Sequence, residues 1–113
     1  MNRYLLYAIS LFIIGQSMIW LQTNGQFISE WIRRNPILVS IMGAPIAYIF
    51  IIATKYAQMY FGNLWGGRML GFSAGILTFS ILTWALVGEG LSTKTLLTIG
   101  LAFCIIGIQI FWK

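Results

Sequence analysis

Long uncharged stretches divide this chain into four segments. Residues 4–29, 35–54, 69–88 and 95–112 contain no Asp, Glu, Lys or Arg and consist mainly of apolar residues. An α-helix needs about 20 such residues to cross roughly 30 Å of hydrocarbon. Transmembrane strands would alternate apolar and polar residues over about ten positions, and these stretches do not alternate. The pattern predicts an all-α integral membrane protein, a single domain with four transmembrane helices at about residues 4–21, 37–58, 69–87 and 96–112.

The longest polar stretch, QTNGQFISEWIRRNP, occupies residues 22–36 and joins the first two predicted helices. Its apolar residues recur at helical spacing opposite four polar ones, with Phe27, Ile28, Trp31 and Ile32 on one side and Ser29, Glu30, Arg33 and Arg34 on the other. This pattern predicts a short interfacial helix that lies in the headgroup layer. Further along, Gly62-Asn63 and Gly66-Gly67 predict a turn before the third helix.

Composition supports the membrane assignment and narrows the possible chemistry. Of the 113 residues, 59% are hydrophobic and 8% are charged, whereas about a quarter of a soluble domain is charged. There is no His and a single cysteine, Cys104, so we expect no disulfide, no metal site and no cofactor. The Lys and Arg residues are scattered, which argues against nucleic-acid binding and favours contact with anionic lipid. An enzyme is disfavoured because no nucleophile–base pair can be assembled.

The ends of the predicted helices carry the information on orientation. Arg3 and the apolar run after it resemble the start of a signal peptide, but no small-x-small cleavage site follows, so we expect a retained helix. The face with both termini has four positive residues, namely Arg3, Lys55, Arg68 and Lys113. The opposite face has three, namely Arg33, Arg34 and Lys94. The positive-inside rule therefore places both termini in the cytoplasm. The bias is small, so insertion in both orientations remains open.

Few polar residues lie inside the predicted helices, and no helix centre contains Asp, Glu, Lys, Arg or His, although such residues mark most proton relays and ion pathways. Lys55, late in the second helix, either extends its amine to the headgroups or faces an internal cavity. Gln16 and Ser17, at mid-depth in the first helix, either line a pathway or bond to a neighbouring helix. Together with Tyr7 and Tyr48, these are the candidate substrate-pathway residues.

Three of the four predicted helices carry a face of small residues. The clearest positions are Gly71 and Gly75 in the third helix and Gly100 and Gly107 in the fourth. Small residues let helix backbones approach closely within a membrane. We therefore expect these four glycines to mediate helix packing within one bundle, between subunits, or both. Pro45 is expected to distort the second helix near its middle.

The segment SILTWALVGEGL (80–91), followed by IGLAFCIIGI (99–108), resembles the last two helices of small multidrug resistance transporters and the wider drug/metabolite transporter superfamily. In that family one helix ends in W-x-x-x-G-[EQ]-x-L, which corresponds here to Trp84, Gly88, Glu89 and Leu91. A final helix with a glycine repeat then forms the dimer contact. The resemblance covers about residues 69–112 and implies a bacterial inner-membrane transporter. It also implies that Glu89 marks a helix end rather than a coupling site.

The first helix departs from that family. Its transporters use a helix 1 glutamate that binds a proton or a cationic drug, whereas the corresponding region here, ISLFIIGQSMIW (9–20), has no acid. An uncharged or anionic substrate, a degenerate family member and a non-transporting relative all remain open.

We expect a small-molecule transporter that works as a homo-oligomer, because four short helices barely enclose a pathway. The alternative is a membrane protein that does not transport, and that either packs into a larger complex or forms a lesion as small basic phage holins do. The lack of intramembrane charge and the small-residue faces favour that alternative.

Overall fold

The computed structural model describes residues 3–112, and all regular structure in that range is helical. The α-helices in chain order are α1 (Arg3–Asn24), α2 (Glu30–Arg34), α3 (Pro36–Ser40), α4 (Gly43–Phe61), α5 (Leu64–Leu82) and α6 (Thr93–Phe111). A 3₁₀ turn (Gly25–Phe27) follows α1, and a π-helical turn (Thr83–Val87) follows α5.

Four spans in this range are long and apolar enough to cross a membrane, namely Arg3–Phe27, Pro36–Phe61, Leu64–Val87 and Thr93–Phe111. The prediction of an all-α, multi-pass membrane protein is confirmed. The short helix predicted between the first two spans is present as α2. The Ser29 hydroxyl oxygen accepts the N–H of Ile32 at 3.5 Å and caps α2. Trp31 is 62% exposed, so its indole remains uncovered by the rest of the chain.

The second span is interrupted at Ile41 and Met42, between α3 and α4. Pro45 has no N–H, so the carbonyl of Ile41 lacks the donor that a regular α-helix would supply. That carbonyl accepts instead from the N–H of Ala44 at 3.4 Å. The helix predicted at 37–58 is therefore two helices, and the distortion lies one turn before the proline.

Two residues, Gly62 and Asn63, make the whole connection between α4 and α5. Gly62 has a left-handed φ of 76°, a conformation that costs glycine little. Its N–H donates to the carbonyl of Gln58 at 2.8 Å. The side-chain oxygen of Asn63 accepts the N–H of Gly66 at 3.0 Å and caps the start of α5. The chain thus reverses without a longer loop.

The third span begins at Leu64 rather than near residue 69, which corrects the predicted boundary. Gly66 and Gly67 are buried residues of α5, not part of a turn. A Cβ on Gly67 would stand 2.9 Å from the Cβ of Ala57 in α4, and one on Gly66 would overlap the ring of Phe61. The glycine pair therefore permits close packing of α5 against the residues before it.

The core lies where α1, α4 and α5 meet, and its buried residues are Leu5, Ala8, Phe12, Ala53, Ala57, Leu70 and Ala74. Tyr7 contacts Tyr56 and Phe12 contacts Phe50, so α1 and α4 run antiparallel. The 62–63 turn consequently lies at one end of the bundle, and the connections at 25–35 and 88–92 lie at the other. The last helix, α6, packs mainly against α5 and contributes one buried residue, Ala102.

Candidate functional site

A cavity of about 780 Å³ lies between α1, α4 and α5. Aromatic rings form much of its wall, and they belong to Phe12, Phe50, Trp65 and Phe72. The polar side chains that line it are those of Gln16, Thr54 and Arg68. A mainly apolar cavity of this size with a few polar groups is typical of sites for small organic molecules.

Gln16 links α1 to α5 by a hydrogen bond beside this cavity. Its side-chain Nε2 donates to the carbonyl oxygen of Gly71 at 3.2 Å. A Cβ on Gly75 would lie 3.0 Å from the Gln16 side-chain amide, and one on Gly71 would lie 3.2 Å from the ring of Phe12. These two glycines therefore give α1 the room that the hydrogen bond requires. Gln16 both bonds to a neighbouring helix and lines a cavity, so the two roles considered for it are compatible.

A second cavity, of about 580 Å³, adjoins the first because Gln16 and Phe72 line both. It lies between α5 and the beginning of α6, and its other polar side chains are Ser80, Lys94, Thr95 and Thr98. The hydroxyls of Ser80 and Thr98 donate to carbonyls of their own helices at 2.8 and 3.0 Å. Together the cavities extend from the end of the bundle with the 62–63 turn to the opposite end.

Among residues 3–112, one basic residue lines each cavity, Arg68 the first and Lys94 the second, and no acidic residue lines either. Arg68 is the fifth residue of α5, and its guanidinium carbon is 4.4 Å from the centroid of the Phe72 ring. This distance allows a cation–π interaction. Within residues 3–112, the only ion pairs join Glu30 to two arginines of α2. Neither cavity-lining cation therefore has a carboxylate partner in that part of the chain.

Of the five predicted pathway residues, Gln16 lines both of these cavities and the other four line neither of them. The ring of Tyr7 packs against that of Tyr56, with centroids 5.2 Å apart. The hydroxyl of Ser17 donates to the carbonyl of Ile13 at 2.8 Å, within α1. Ser17 thus bonds locally rather than to a neighbouring helix.

Tyr48 and Lys55 are exposed on the outward face of α4. The buried residues Ile46, Ala53 and Ala57 mark the inward face of that helix. At about 100° per residue, Tyr48 and Lys55 lie about 180° from those residues around the helix. Lys55 therefore faces away from the cavity, which is the arrangement expected of a lysine that extends its amine to the headgroups.

The glycines of α6 are placed differently from those of α5. Among residues 3–112, and apart from each glycine's chain neighbours and the backbone of its own helix, no atom lies within 4 Å of the position that a Cβ would occupy on Gly100 or Gly107. The packing role predicted for these two glycines stays a prediction, and Cys104 on the same helix is exposed as well. Glu89 is exposed in the connection before α6, just after Gly88, whose N–H donates to the carbonyl of Thr83 at 3.1 Å.

Sequence reasoning assigned no site role to most of the cavity residues, including Thr54, Trp65, Arg68 and Phe72. Arg68 and Phe72 are four residues apart, the spacing at which side chains of one helix meet. The sequence does not reveal this helical spacing, because the predicted third helix begins at about residue 69, after Arg68.

Searches of protein-family models, of curated proteins and of solved structures return no match to this chain. The geometry of the two cavities is therefore the main guide to function.

Proposed function

We propose that this protein is a small-molecule membrane transporter whose substrate site is the pair of adjoining cavities that meet at Gln16. The observation that carries the proposal is a mainly apolar cavity of about 780 Å³ among three membrane-spanning helices. Gln16 also stands in the region where the resembled transporters carry their coupling glutamate, which supports a substrate site there.

The transporter works as a homo-oligomer in a bacterial inner membrane. Neither cavity is closed by this chain alone, since lining residues such as Trp65 and Phe72 are 74% and 51% exposed. A second copy would cover the open side. The uncovered glycines of α6, Gly100 and Gly107, offer the close-contact surface that membrane helices use to associate, in line with the dimer contact of the resembled family.

The test uses purified protein in liposomes and two matched tryptophan substitutions in α4. Thr54→Trp fills the first cavity, whereas Tyr48→Trp adds an indole to the outward face of the same helix. Liposomes with each protein, and liposomes without protein, are incubated in an isotope-labelled bacterial metabolite extract, filtered, and analysed by mass spectrometry. We expect at least one metabolite to enter with saturable kinetics. Its initial rate should fall about tenfold with Thr54→Trp, an effect of about 1.4 kcal/mol, and stay unchanged with Tyr48→Trp.

A non-transporting protein is the second candidate, and one observation favours it. Apart from the single buried residue Ala102, α6 presents an apolar surface with little cover, including Leu97, Leu101 and Phe103 at more than 60% exposure each. A partner protein or a lesion-forming assembly could use that surface. Two outcomes would favour this candidate over transport. One is leakage that does not saturate with solute concentration. The other is the absence of protein-dependent uptake of any metabolite, together with a membrane protein that co-purifies stably.

A further inference from the structure

Resting on the proposed function, we infer that the cavity site takes an amphipathic organic anion, a small molecule with a flat apolar body and a carboxylate, sulfonate or phosphate group. Arg68 binds the charged group, and the aromatic wall binds the apolar body. The inference combines the charge of the two cavities, the geometry of Arg68 and the shape of the wall.

The charged side chains that line the two cavities, Arg68 and Lys94, are both positive. Glu30 and Glu89 are the only acidic side chains in the sequence, and both belong to connections at the end of the bundle opposite the 62–63 turn. Glu30 already pairs with the two arginines of α2, at 3.5 and 2.7 Å. Arg68 and Lys94, in contrast, line the cavities with no carboxylate partner among residues 3–112. In the first cavity an organic cation would meet only the positive charge of Arg68, whereas an anion would pair with it.

Arg68 is exposed at the open side of the first cavity and contacts the aromatic wall. Its guanidinium lies over the ring of Phe72, with 4.4 Å between the guanidinium carbon and the ring centroid. The ring contact occupies part of the guanidinium, and N–H groups on the rest of it can donate to an anion. Two parallel edge N–H groups match the two oxygens of a carboxylate, sulfonate or phosphate.

The rest of the first cavity suits a flat apolar body. The rings of Phe12 and Phe50 lie with their centroids 6.1 Å apart, and both line the cavity with Trp65. Aromatic side chains offer a large apolar surface with few rotatable bonds. Gln16 adds one amide that can orient a polar substituent. The volume of about 780 Å³ lies within the range of sites that bind drug-sized molecules.

An anion with this chemistry can come from water or from the membrane, where the acidic headgroup of a lipid can reach the open side of the cavity. We therefore test both sources with protein in phosphatidylcholine nanodiscs and in nanodiscs that contain phosphatidylglycerol as well. The probes share one ring system and differ in charge: naphthalenesulfonate, naphthalenesulfonamide and naphthylmethyl-trimethylammonium. Binding is measured by isothermal titration calorimetry.

The variants separate Arg68 from the general charge of the protein. Arg68→Gln removes the cavity cation, and Lys55→Gln removes one positive charge from the outward face of α4 near the same end of the bundle. In phosphatidylcholine we expect the sulfonate to bind about tenfold more tightly than the sulfonamide, and the ammonium probe to bind most weakly. Arg68→Gln should weaken sulfonate binding about tenfold to a hundredfold, the range for a charge-assisted contact. It should leave sulfonamide binding unchanged, and Lys55→Gln should leave all three probes unchanged.

Arg68→Lys keeps the charge but loses the planar fork, so sulfonate binding should recover in part. This variant also keeps the inference testable if Arg68→Gln fails to fold. Competition by phosphatidylglycerol that depends on Arg68 would identify the anion as a lipid headgroup, and its absence would identify a water-soluble anion.

Failure of the inference and failure of the proposed function give different results. If sulfonamide or ammonium probe binds as tightly as sulfonate, and Thr54→Trp abolishes that binding, the anion inference is overturned and the cavity remains a substrate site. If no probe binds in a manner sensitive to Thr54→Trp, the inference is overturned as well. The proposed function falls only if the metabolite-uptake assay is also negative.

Discussion

The close approach of α4 and α5 can be tested with a single methyl group. In Gly67→Ala the new Cβ would lie 2.9 Å from the Cβ of Ala57, about 0.5 Å short of an ordinary contact of 3.4 Å. The obstructing atom is bound directly to the backbone of α4, so no side-chain rotation relieves the overlap. The two helices must separate, and overpacking of this kind costs about 1–3 kcal/mol.

Gly100→Ala is the matched control because it makes the same substitution inside α6, where no side chain or other helix among residues 3–112 lies within 4 Å of the new methyl. Gly100 belongs to the surface proposed for association between chains, so both variants are compared at a protein-to-detergent ratio at which the chain is monomeric. Both variants gain about 1 kcal/mol in helix propensity, so the difference between them isolates the packing cost. We expect Gly67→Ala to be less stable than Gly100→Ala by about 1–3 kcal/mol.

The free energy of unfolding is measured in mixed micelles by titration with sodium dodecyl sulfate and far-ultraviolet circular dichroism. The double variant Gly67→Ala with Ala57→Gly moves the methyl from α4 to α5 and should recover most of the lost stability. Equal stabilities for Gly67→Ala and Gly100→Ala, or no recovery in the double variant, would refute the close packing of α4 on α5.

Three further substitutions test single contacts. Gln16→Leu removes the hydrogen bond from α1 to α5 and should lower the free energy of unfolding by about 0.6 kcal/mol. Ser17→Ala removes only a bond within α1 and should lower it less in the same titration. A larger loss for Ser17→Ala would contradict the assignment of the Gln16 bond as the one between helices. Trp20→Phe removes the 2.9 Å hydrogen bond from the indole N–H to the hydroxyl oxygen of Thr83. A double-mutant cycle with Thr83→Val should give a coupling free energy of about 0.5–1.5 kcal/mol. A coupling of zero would count against the bond. Pro45→Ala restores an N–H donor to α4, so hydrogen exchange should show a protected amide at this position, and rapid exchange there would mean that the proline does not cause the interruption of the second span.

The spans were predictable because lipid imposes a simple rule on the sequence. A helix that crosses hydrocarbon must be apolar over about 20 residues, and the gaps between charged residues therefore locate all four spans. The start of α5 was not predictable by the same rule. Adjacent glycines usually mark a turn, and only the contact of Gly67 with Ala57, ten residues earlier and on another helix, explains why this pair is helical.

The site was predictable in part, for a related reason. Gln16 stands out in any sequence as a polar residue at mid-depth in an apolar helix, but its partner, the carbonyl of Gly71, is 55 residues away. Tyr48 and Lys55 are also polar residues in a helix, yet their direction depends on which face of α4 is buried. Ala53 and Ala57 lie on the buried face, but Ala44 and Ala47 of the same helix are exposed, so the positions of small residues alone do not fix that direction.

The peripheral position of α6 has a consequence for how the protein is made. Every residue of the buried core cluster belongs to α1, α4 or α5, and these helices leave the ribosome before α6 does. Since a chain emerges from its N-terminus and folds as it is made, the three-helix core can assemble in the bilayer while α6 is still being synthesised. A chain that ends within residues 88–92 should therefore insert and retain its first three helices. The step completed last is the docking of the helix whose outer surface remains free for another molecule.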